Sequence, residues 1–88
     1  MKREEVYEIV DSELDYHEAR WCSVTNDDNK SISEWLIYIE SHLNKAKQEV
    51  YNLEPSKALE EVRKLTSLGF RTMMHHDTDK RFPRNTRR

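Results

Sequence analysis

The fold of this chain is decided by residues 31–55, which read SISEWLIYIESHLNKAKQEVYNLEP. Ser31, with Glu34 three residues later, has the pattern of a capping box, in which each side chain bonds the other residue's backbone N–H group at a helix start. A long run without glycine or proline follows, and Pro55 suits the first position of a second helix. The segment therefore predicts a long helix, a short connection after Tyr51, and an antiparallel partner helix.

Apolar residues recur along both predicted helices at steps of mostly three and four. Such spacing is typical of a helix face that packs on an antiparallel partner. We therefore expect the two helices to bury this seam between them. The seam comprises Ile32, Leu36, Ile39, Leu43, Ala46 and Val50 on the first helix, and Leu59, Val62, Leu65, Thr66, Gly69, Phe70 and Met73 on the second.

Gly69 stands in the middle of the second seam. A glycine inside a helix costs about 1 kcal/mol relative to alanine. We expect this cost to be offset by the close approach of a neighbouring helix or a ligand to the backbone.

Residues 3–20 predict an N-terminal helix with a narrow apolar stripe and seven acidic side chains. Nothing in the chain has the pattern of a strand. The expected fold class is all-α: an N-terminal helix plus a long antiparallel hairpin in one compact domain over residues 1–81, followed by a basic C-terminal tail over residues 82–88. The predicted helices cover about residues 3–20, 32–51 and 55–76.

Further apolar side chains lie off the seam, and the polar N-terminal helix can cover only some of them. With 36% charged residues among 88, the chain has little apolar material for a core, and a domain of this size gains much from association. We therefore expect a homo-oligomer whose interface uses off-seam residues. These are Trp35, Ile37, Tyr38, Leu68 and Met74.

Charge is divided unevenly along the chain. Residues 1–79 carry ten Lys and Arg against seventeen Asp and Glu, whereas residues 80–88 carry five basic residues and no acidic one. An acidic body argues against binding to duplex nucleic acid, because most of the surface would repel phosphates. The tail either grips polyanions or is a solvated end.

Cys22 is the single cysteine, so no internal disulfide is possible and a reducing cytosol is expected. The first residues are followed by no apolar run, from which we expect neither a signal peptide nor a membrane span.

Several anion-binding groups converge where the hairpin opens. A helix N-terminus presents free N–H groups and a partial positive charge, and here Lys30 and two hydroxyls stand beside it within Lys30, Ser31, Ile32 and Ser33. In an antiparallel hairpin that turns near residues 53–54, the residue numbers of two facing positions add up to about 107. Arg71 and His75 therefore fall near the same helix start, and the combination predicts a phosphate site.

Aromatic and apolar groups extend this site. Tyr16 and Trp21, with Tyr7 earlier on the same helix, could stack on a base, and Leu68 would form an apolar wall. A phosphate clamp beside aromatic rings favours nucleotide binding. The alternative is structural: a salt bridge from Arg71 to a carboxylate of the N-terminal helix.

Catalytic sites are less well supported. Residues 75–79, HHDTD, end a helix where histidines complement its dipole, and no second cluster has the spacing of a metal site. Helical pyrophosphatases of the MazG type need two acidic pairs on facing helices; the nearest candidates are Glu5 with Glu8 and Glu60 with Glu61. Cys22 has no base partner in any motif. We expect no catalytic residue, metal or cofactor.

Three segments together resemble a known family. They are DSELDY at residues 11–16, Lys30 followed by SISEWLIYI at residues 31–39, and the stretch from Ala58-Leu59 through Val62-Arg63-Lys64 to Met74-His75-His76. They resemble the small all-helical anti-CBASS cyclic-nucleotide sponges of phages, over roughly residues 5–81.

The resemblance implies a binding protein rather than an enzyme. Members of this family form homohexamers and sequester cyclic di- and trinucleotide immune signals, such as cyclic GMP–AMP, in the cytoplasm of the infected bacterial host. It implies that Lys30 and Arg71 hold phosphates, that a hydroxyl within residues 31–33 assists, and that Leu68 is the apolar neighbour.

Two assignments from the resemblance stay open. The tyrosine that stacks on a base is Tyr16, with Tyr7 as the alternative. A separate cyclic-trinucleotide pocket would use His75 with Lys80 or Arg81, although Asp77 and Asp79 lie close in sequence.

Two other functions remain as alternatives. One is a MazG-like nucleotide pyrophosphohydrolase, which would use magnesium. The other is a helical adaptor that docks a host protein through Trp35, Tyr38 and the basic tail.

Overall fold

The computed structural model describes residues 1–21 and 29–81, and in these ranges the chain forms three helices and no strand. The helices are α1 (Arg3–Trp21), α2 (Ile32–Tyr51) and α3 (Pro55–His75). The expected all-α class is confirmed, and each end differs from its predicted position by at most one residue. The basic tail, residues 82–88, lies outside the described residues.

The start of α2 is fixed by the predicted capping box. Ser31 has extended backbone angles (φ −71°, ψ 163°), and its Oγ accepts a hydrogen bond of 3.2 Å from the N–H of Glu34. The Glu34 carboxylate in turn accepts the Ser31 N–H at 2.9 Å. Two donors that the first turn leaves without a helical partner are thereby satisfied, which stabilises this helix end by about 1 kcal/mol relative to alanine at Ser31.

A tight connection joins α2 to α3. The N–H of Asn52 donates to the carbonyl of Gln48 at 3.0 Å, and the N–H of Glu54 donates to the carbonyl of Glu49 at 2.9 Å. Between them, Leu53 has φ 59°, the left-handed region that usually ends a helix at glycine. Pro55 then opens α3 at its first position, as the sequence predicts.

The two long helices pack through a face of small and aromatic residues. Trp35 and Ala46 of α2 and Ala58 and Leu68 of α3 are buried, and alanine on both helices allows close approach near the turn. Midway along, the Nδ1–H of His42 donates to the Glu61 carboxylate at 2.7 Å.

The predicted seam is not the buried face, so that expectation was wrong. Four of its α2 residues and four of its α3 residues are more than 40% exposed. Trp35 and Leu68, two of the five residues that the sequence places off the seam, are buried instead. Apolar spacing locates an apolar face correctly but does not say what covers it. Here the two helices are rotated about their axes so that Trp35 and Leu68 lie in the contact between them. Most of the seam lies beside this contact and is exposed.

α1 packs on α3 through a charged contact. Glu13 of α1 is 6% exposed, and its carboxylate accepts a 2.7 Å hydrogen bond from Nε of Arg63. The Nε2 atom of His17, one turn further along α1, lies 3.0 Å from the other oxygen of Glu13. Val10 is buried beside this contact.

Successive residues of an α-helix are rotated by 100° about its axis, and on this basis α3 has three faces. One face packs on α2 and another packs on α1. The third lies on the side of the hairpin away from α1 and continues onto α2, and we call it the open face. It includes a groove of about 430 Å³ between the two helices near the turn. The exposed large residues of the open face are Ile32, Leu36, Leu43, Val50, Leu59, Val62, Phe70 and Met73.

Gly69 also borders the open face. A Cβ atom built on it meets no atom within 4 Å, so the close approach expected at this glycine is not made within the described part of the protomer. None of the three described helices is both long and apolar enough to cross a membrane.

Candidate functional site

The open end of the hairpin brings together residues from three segments. The Trp35 cluster consists of Lys30 in the segment before α2, Trp35 in the first turn of α2, and Arg71 and His75 in the last turns of α3. The sequence places Lys30, Arg71 and His75 here from the expected register, and the structure agrees.

Both cations of the cluster lie against the same aromatic ring. The Nζ atom of Lys30 is 5.5 Å from the centroid of Trp35, and the guanidinium carbon of Arg71 is 5.3 Å from it. Lys30 is also 5.9 Å from the ring of Tyr38. Positive charge within about 6 Å of an indole is attracted by the negative potential of the ring face. Two basic side chains 41 residues apart in sequence therefore contact the same ring.

Two histidines complete the wall of the site. The imidazole of His75 is stacked on Trp35, with centroids 5.9 Å apart and 14° between the planes. The Nε2 atom of His76 lies 2.8 Å from the carbonyl oxygen of Lys30 and donates to it as the Nε2–H tautomer. This bond ties the segment before α2 to the end of α3.

The capping box limits which groups at the helix start are available to an anion. The N–H and hydroxyl of Ser31 are used by the box, and the N–H of Trp35 donates to the Ser31 carbonyl at 3.1 Å. The first-turn N–H groups of Ile32 and Ser33 lie outside the box and are the donors that remain.

Glu34 adds a negative charge to the same turn. The backbone N–H of Ser31, then its hydroxyl, and the nearby charge of Lys30 hold the pKa of Glu34 below its usual value. The carboxylate is therefore ionised at neutral pH, and an incoming phosphate must be drawn by Lys30 and Arg71 rather than by the whole helix end.

Leu68 lies one turn before Arg71 and is buried, and its role as the apolar neighbour of a ligand stays a prediction. Lys80 and Arg81 follow the end of α3 and are exposed. The imidazole of His75 lies on Trp35, and the cyclic-trinucleotide pocket stays a prediction.

Neither candidate tyrosine reaches the Trp35 cluster within the protomer. Tyr16 is 52% exposed, lies under the guanidinium of Arg20, and lines a cleft of about 450 Å³ beside Arg63 and Lys64. At 1.5 Å per residue those positions lie about 11 Å along α3 from Arg71. Tyr7 is exposed about 13 Å further back on α1. The side chain of Trp21 and the whole of Cys22 lie outside the described residues.

The structure answers the salt-bridge alternative in part. The ion pair that joins α1 to α3 is made by Arg63, while Arg71 packs on Trp35. Sequence reasoning missed Trp35 itself and assigned it to the outer surface; its fully buried indole also removes it from the adaptor surface, whereas Tyr38 remains half exposed. The expected register, which places position 35 opposite 72, was the signal that could have found it.

Acidic residues do not gather into a metal site in the described ranges. Among those residues, no three His, Cys, Asp or Glu side chains lie close enough to hold a metal ion. Of the acidic pairs considered for a pyrophosphatase, Glu61 is engaged by His42 and by Lys64 at 3.4 Å.

Comparisons with protein-family models, curated proteins and solved structures found no match. The site is therefore assigned from its own geometry and charges.

Proposed function

We propose that this protein is a phage anti-defence protein that binds cyclic di- and trinucleotide immune signals and sequesters them in the cytoplasm of the infected bacterium. Sequestration without cleavage would keep CBASS effectors inactive. The observation that carries the proposal is the placement of Lys30 and Arg71 on one aromatic ring at the start of α2.

The charge of this site supports phosphate binding. Lys30 and Arg71 are fixed cations, and the N–H groups of Ile32 and Ser33 point out of the same helix end. Arg71 supplies a planar fork of donors that suits two phosphate oxygens, and Lys30 supplies a point charge. A pair of phosphodiesters in a small cyclic nucleotide matches two cations held a fixed distance apart.

Binding without turnover is the simplest chemistry for these groups. Hydrolysis of a phosphodiester needs an activated water, supplied by a general base or by a metal ion. At the Trp35 cluster two cations suit phosphate binding, and the imidazole of His75 is stacked on the indole. A general base there would have to be this imidazole, since the described residues include no group of His, Cys, Asp and Glu that could hold a metal ion.

A homo-oligomer, a hexamer by the resemblance, belongs to the same proposal. The open face presents eight large apolar side chains, a pattern that marks an interaction surface. Tyr16 lies away from Lys30 and Arg71 of its own protomer, so a stacking tyrosine would reach this site from a second copy. Association would then complete the site as well as cover the open face.

The test is calorimetric titration with cyclic GMP–AMP, followed by chromatography of the recovered ligand. We expect tight binding with the ligand returned intact. Lys30→Ala and Arg71→Ala should each weaken binding about 10- to 100-fold, because each removes a charge-assisted bond worth about 1.5–3 kcal/mol.

Lys45→Ala is the matched control, since Lys45 is an exposed lysine on α2 away from the cluster. Full affinity in both site variants would refute the assignment of the site. A degraded ligand would show an enzyme, and release of pyrophosphate from nucleoside triphosphates with magnesium would identify the MazG-like alternative. Tyr16→Ala and Tyr7→Ala decide which ring stacks, since loss of a stacked base costs about 1–3 kcal/mol.

A further inference from the structure

Trp35 is the most deeply buried large residue among those described. Its side chain is 0% exposed although it lies in the first turn of α2, only four residues after the helix cap. Its own N–H donates to the carbonyl of Ser31, so the capping box fixes the backbone from which the indole projects. A large ring held this firmly is suited to position other groups.

The groups around the indole come from separate parts of the chain. Lys30 precedes α2, whereas Arg71 and His75 belong to α3, and all three lie within 6 Å of the same ring. Lys30 and Arg71 repel one another as like charges, and the face of a buried indole attracts each of them. The ring is therefore a contact that both cations share.

Burying the indole of Trp35 costs free energy, because its N–H group loses its hydrogen bond to water. Among the described residues, the indole N–H of Trp35 has no hydrogen-bond partner, and an unpaired buried donor is unfavourable. Phenylalanine would fill most of the same space without that donor. The larger π-system of tryptophan binds cations best among the aromatic side chains, which gives a reason for the indole here.

We infer that Trp35 is the positioning residue of the anion site: its ring holds the Lys30 ammonium and the Arg71 guanidinium in the arrangement that meets a phosphate ligand. The placement of the two cations is independent of the ligand, and only the consequence for binding rests on the proposed function.

The first experiment examines the full-length protein without ligand. Protons close to the face of an indole are shifted upfield by its ring current, so ¹H–¹⁵N and ¹H–¹³C NMR spectra should show upfield shifts for the Arg71 Nε–H and for the Lys30 ε-methylene. Trp35→Phe should keep part of both shifts, and Trp35→Leu should abolish that of Arg71 and reduce that of Lys30, which Tyr38 also contacts. Ordinary shifts for both groups in the unmodified protein would overturn the inference without any variant.

Tyr38→Leu is the matched control, because Tyr38 lies near Lys30 and its contact with a cation is recorded for Lys30 only. We expect it to change the Lys30 shift and leave that of Arg71 unaltered. A loss of the Arg71 shift in this variant would place Arg71 on a different ring and overturn the inference.

The second experiment measures affinity for cyclic GMP–AMP. Trp35→Leu should weaken binding at least about tenfold, and Trp35→Phe by about threefold or less. Rescue by phenylalanine separates ring placement from a general loss of folding, which far-ultraviolet circular dichroism monitors in each variant. Equal affinity for the leucine variant and the unmodified protein would overturn the role in binding. If the unmodified protein binds no cyclic GMP–AMP but shows both ring-current shifts, the proposed function fails and the placement by Trp35 stands.

Discussion

The two sides of the α2–α3 hairpin differ in how they are covered. One side meets α1 through a buried carboxylate, Glu13, held by Arg63 and His17. The other side, the open face, presents Phe70 and its apolar neighbours to solvent in the protomer. The contact with α1 therefore buries charged groups, whereas the open face leaves apolar groups exposed.

This difference shows two ways of holding a partner. The contact with α1 is directional, because a carboxylate held by Arg63 on one oxygen and by His17 on the other requires one geometry. The open face would bind a partner by burial of apolar surface. This stabilisation is not directional, and it grows with the apolar area removed from water. We take the contact of α1 with α3 as the one that determines the fold of the protomer, and the open face as the surface available for association.

The largest expected effect comes from placing a charge on the open face. Phe70→Glu should raise the dissociation constant of the proposed oligomer at least about 100-fold, near 2.7 kcal/mol, because the proposed interface would have to bury an unpaired carboxylate. Sedimentation velocity measures the assembly, and circular dichroism verifies that the helices remain. Leu53→Glu, in the exposed turn, is the control. An unchanged assembly in Phe70→Glu would exclude the open face as the interface.

A smaller effect is expected from a conservative change in the contact between α1 and α3. Glu13→Gln removes the charge shared by Arg63 and His17, and we expect a loss of about 2 kcal/mol in the free energy of unfolding, because Arg63 is partly exposed and regains water. Urea unfolding measures the loss. Glu18→Gln, an exposed acid of the same helix, should change stability little; equal losses in the two variants would show that the buried contact has no special value.

Acid should loosen the α2–α3 contact through Glu61. Partial burial favours the neutral acid, but the hydrogen bond with His42 and the charge of Lys64 outweigh it and lower the pKa of Glu61 from 4.5. A carboxyl with a lowered pKa in the folded state stabilises the fold above pH 4.5, and this stabilisation is lost as the pH falls further, through the folded pKa.

We therefore expect the unfolding free energy of the unmodified protein to fall more steeply below pH 4.5 than that of Glu61→Gln. Urea titrations at a series of pH values between 3 and 7 test this. Parallel pH profiles for the two proteins would contradict the assignment. Glu60→Gln, on the exposed neighbouring position, is the control.

The smallest effect tests Gly69 at the edge of the open face. In a monomeric Phe70→Glu background, Gly69→Ala should raise the unfolding free energy by about 1 kcal/mol, since a Cβ there meets open space and alanine favours the helix. In the assembled protein the same change should gain less or cost stability, because a second copy would approach the backbone. Equal gains in both backgrounds would place Gly69 outside the interface.

The sequence predicts the secondary structure of the described ranges closely. The capping box at Ser31, the turn before Pro55 and the absence of glycine between them are local signals, and local signals fix where helices begin and end. The register of the hairpin follows from the turn, and this is why Lys30, Arg71 and His75 were expected together.

Burial was harder to predict because it depends on how each helix is rotated about its axis. The apolar spacing of Leu36, Leu43, Val62 and Phe70 identifies a face that must be covered, but the spacing is the same whether the cover is the partner helix or another molecule. Trp35 was misplaced for the same reason. The contact of Glu13 with Arg63 joins residues 50 apart and has no local signal in the sequence.

The hydrogen bond between His76 and the Lys30 carbonyl bears on the order in which the hairpin opens and closes. It joins residues 46 apart, while the turn at its other end is closed by bonds across four or five residues. Closing a short loop costs less entropy than closing a long one, so pairing should start at Asn52 and advance toward Lys30. The Trp35 cluster would form last and fray first, and a ligand that joins Lys30 to Arg71 would slow amide exchange most at this end of both helices.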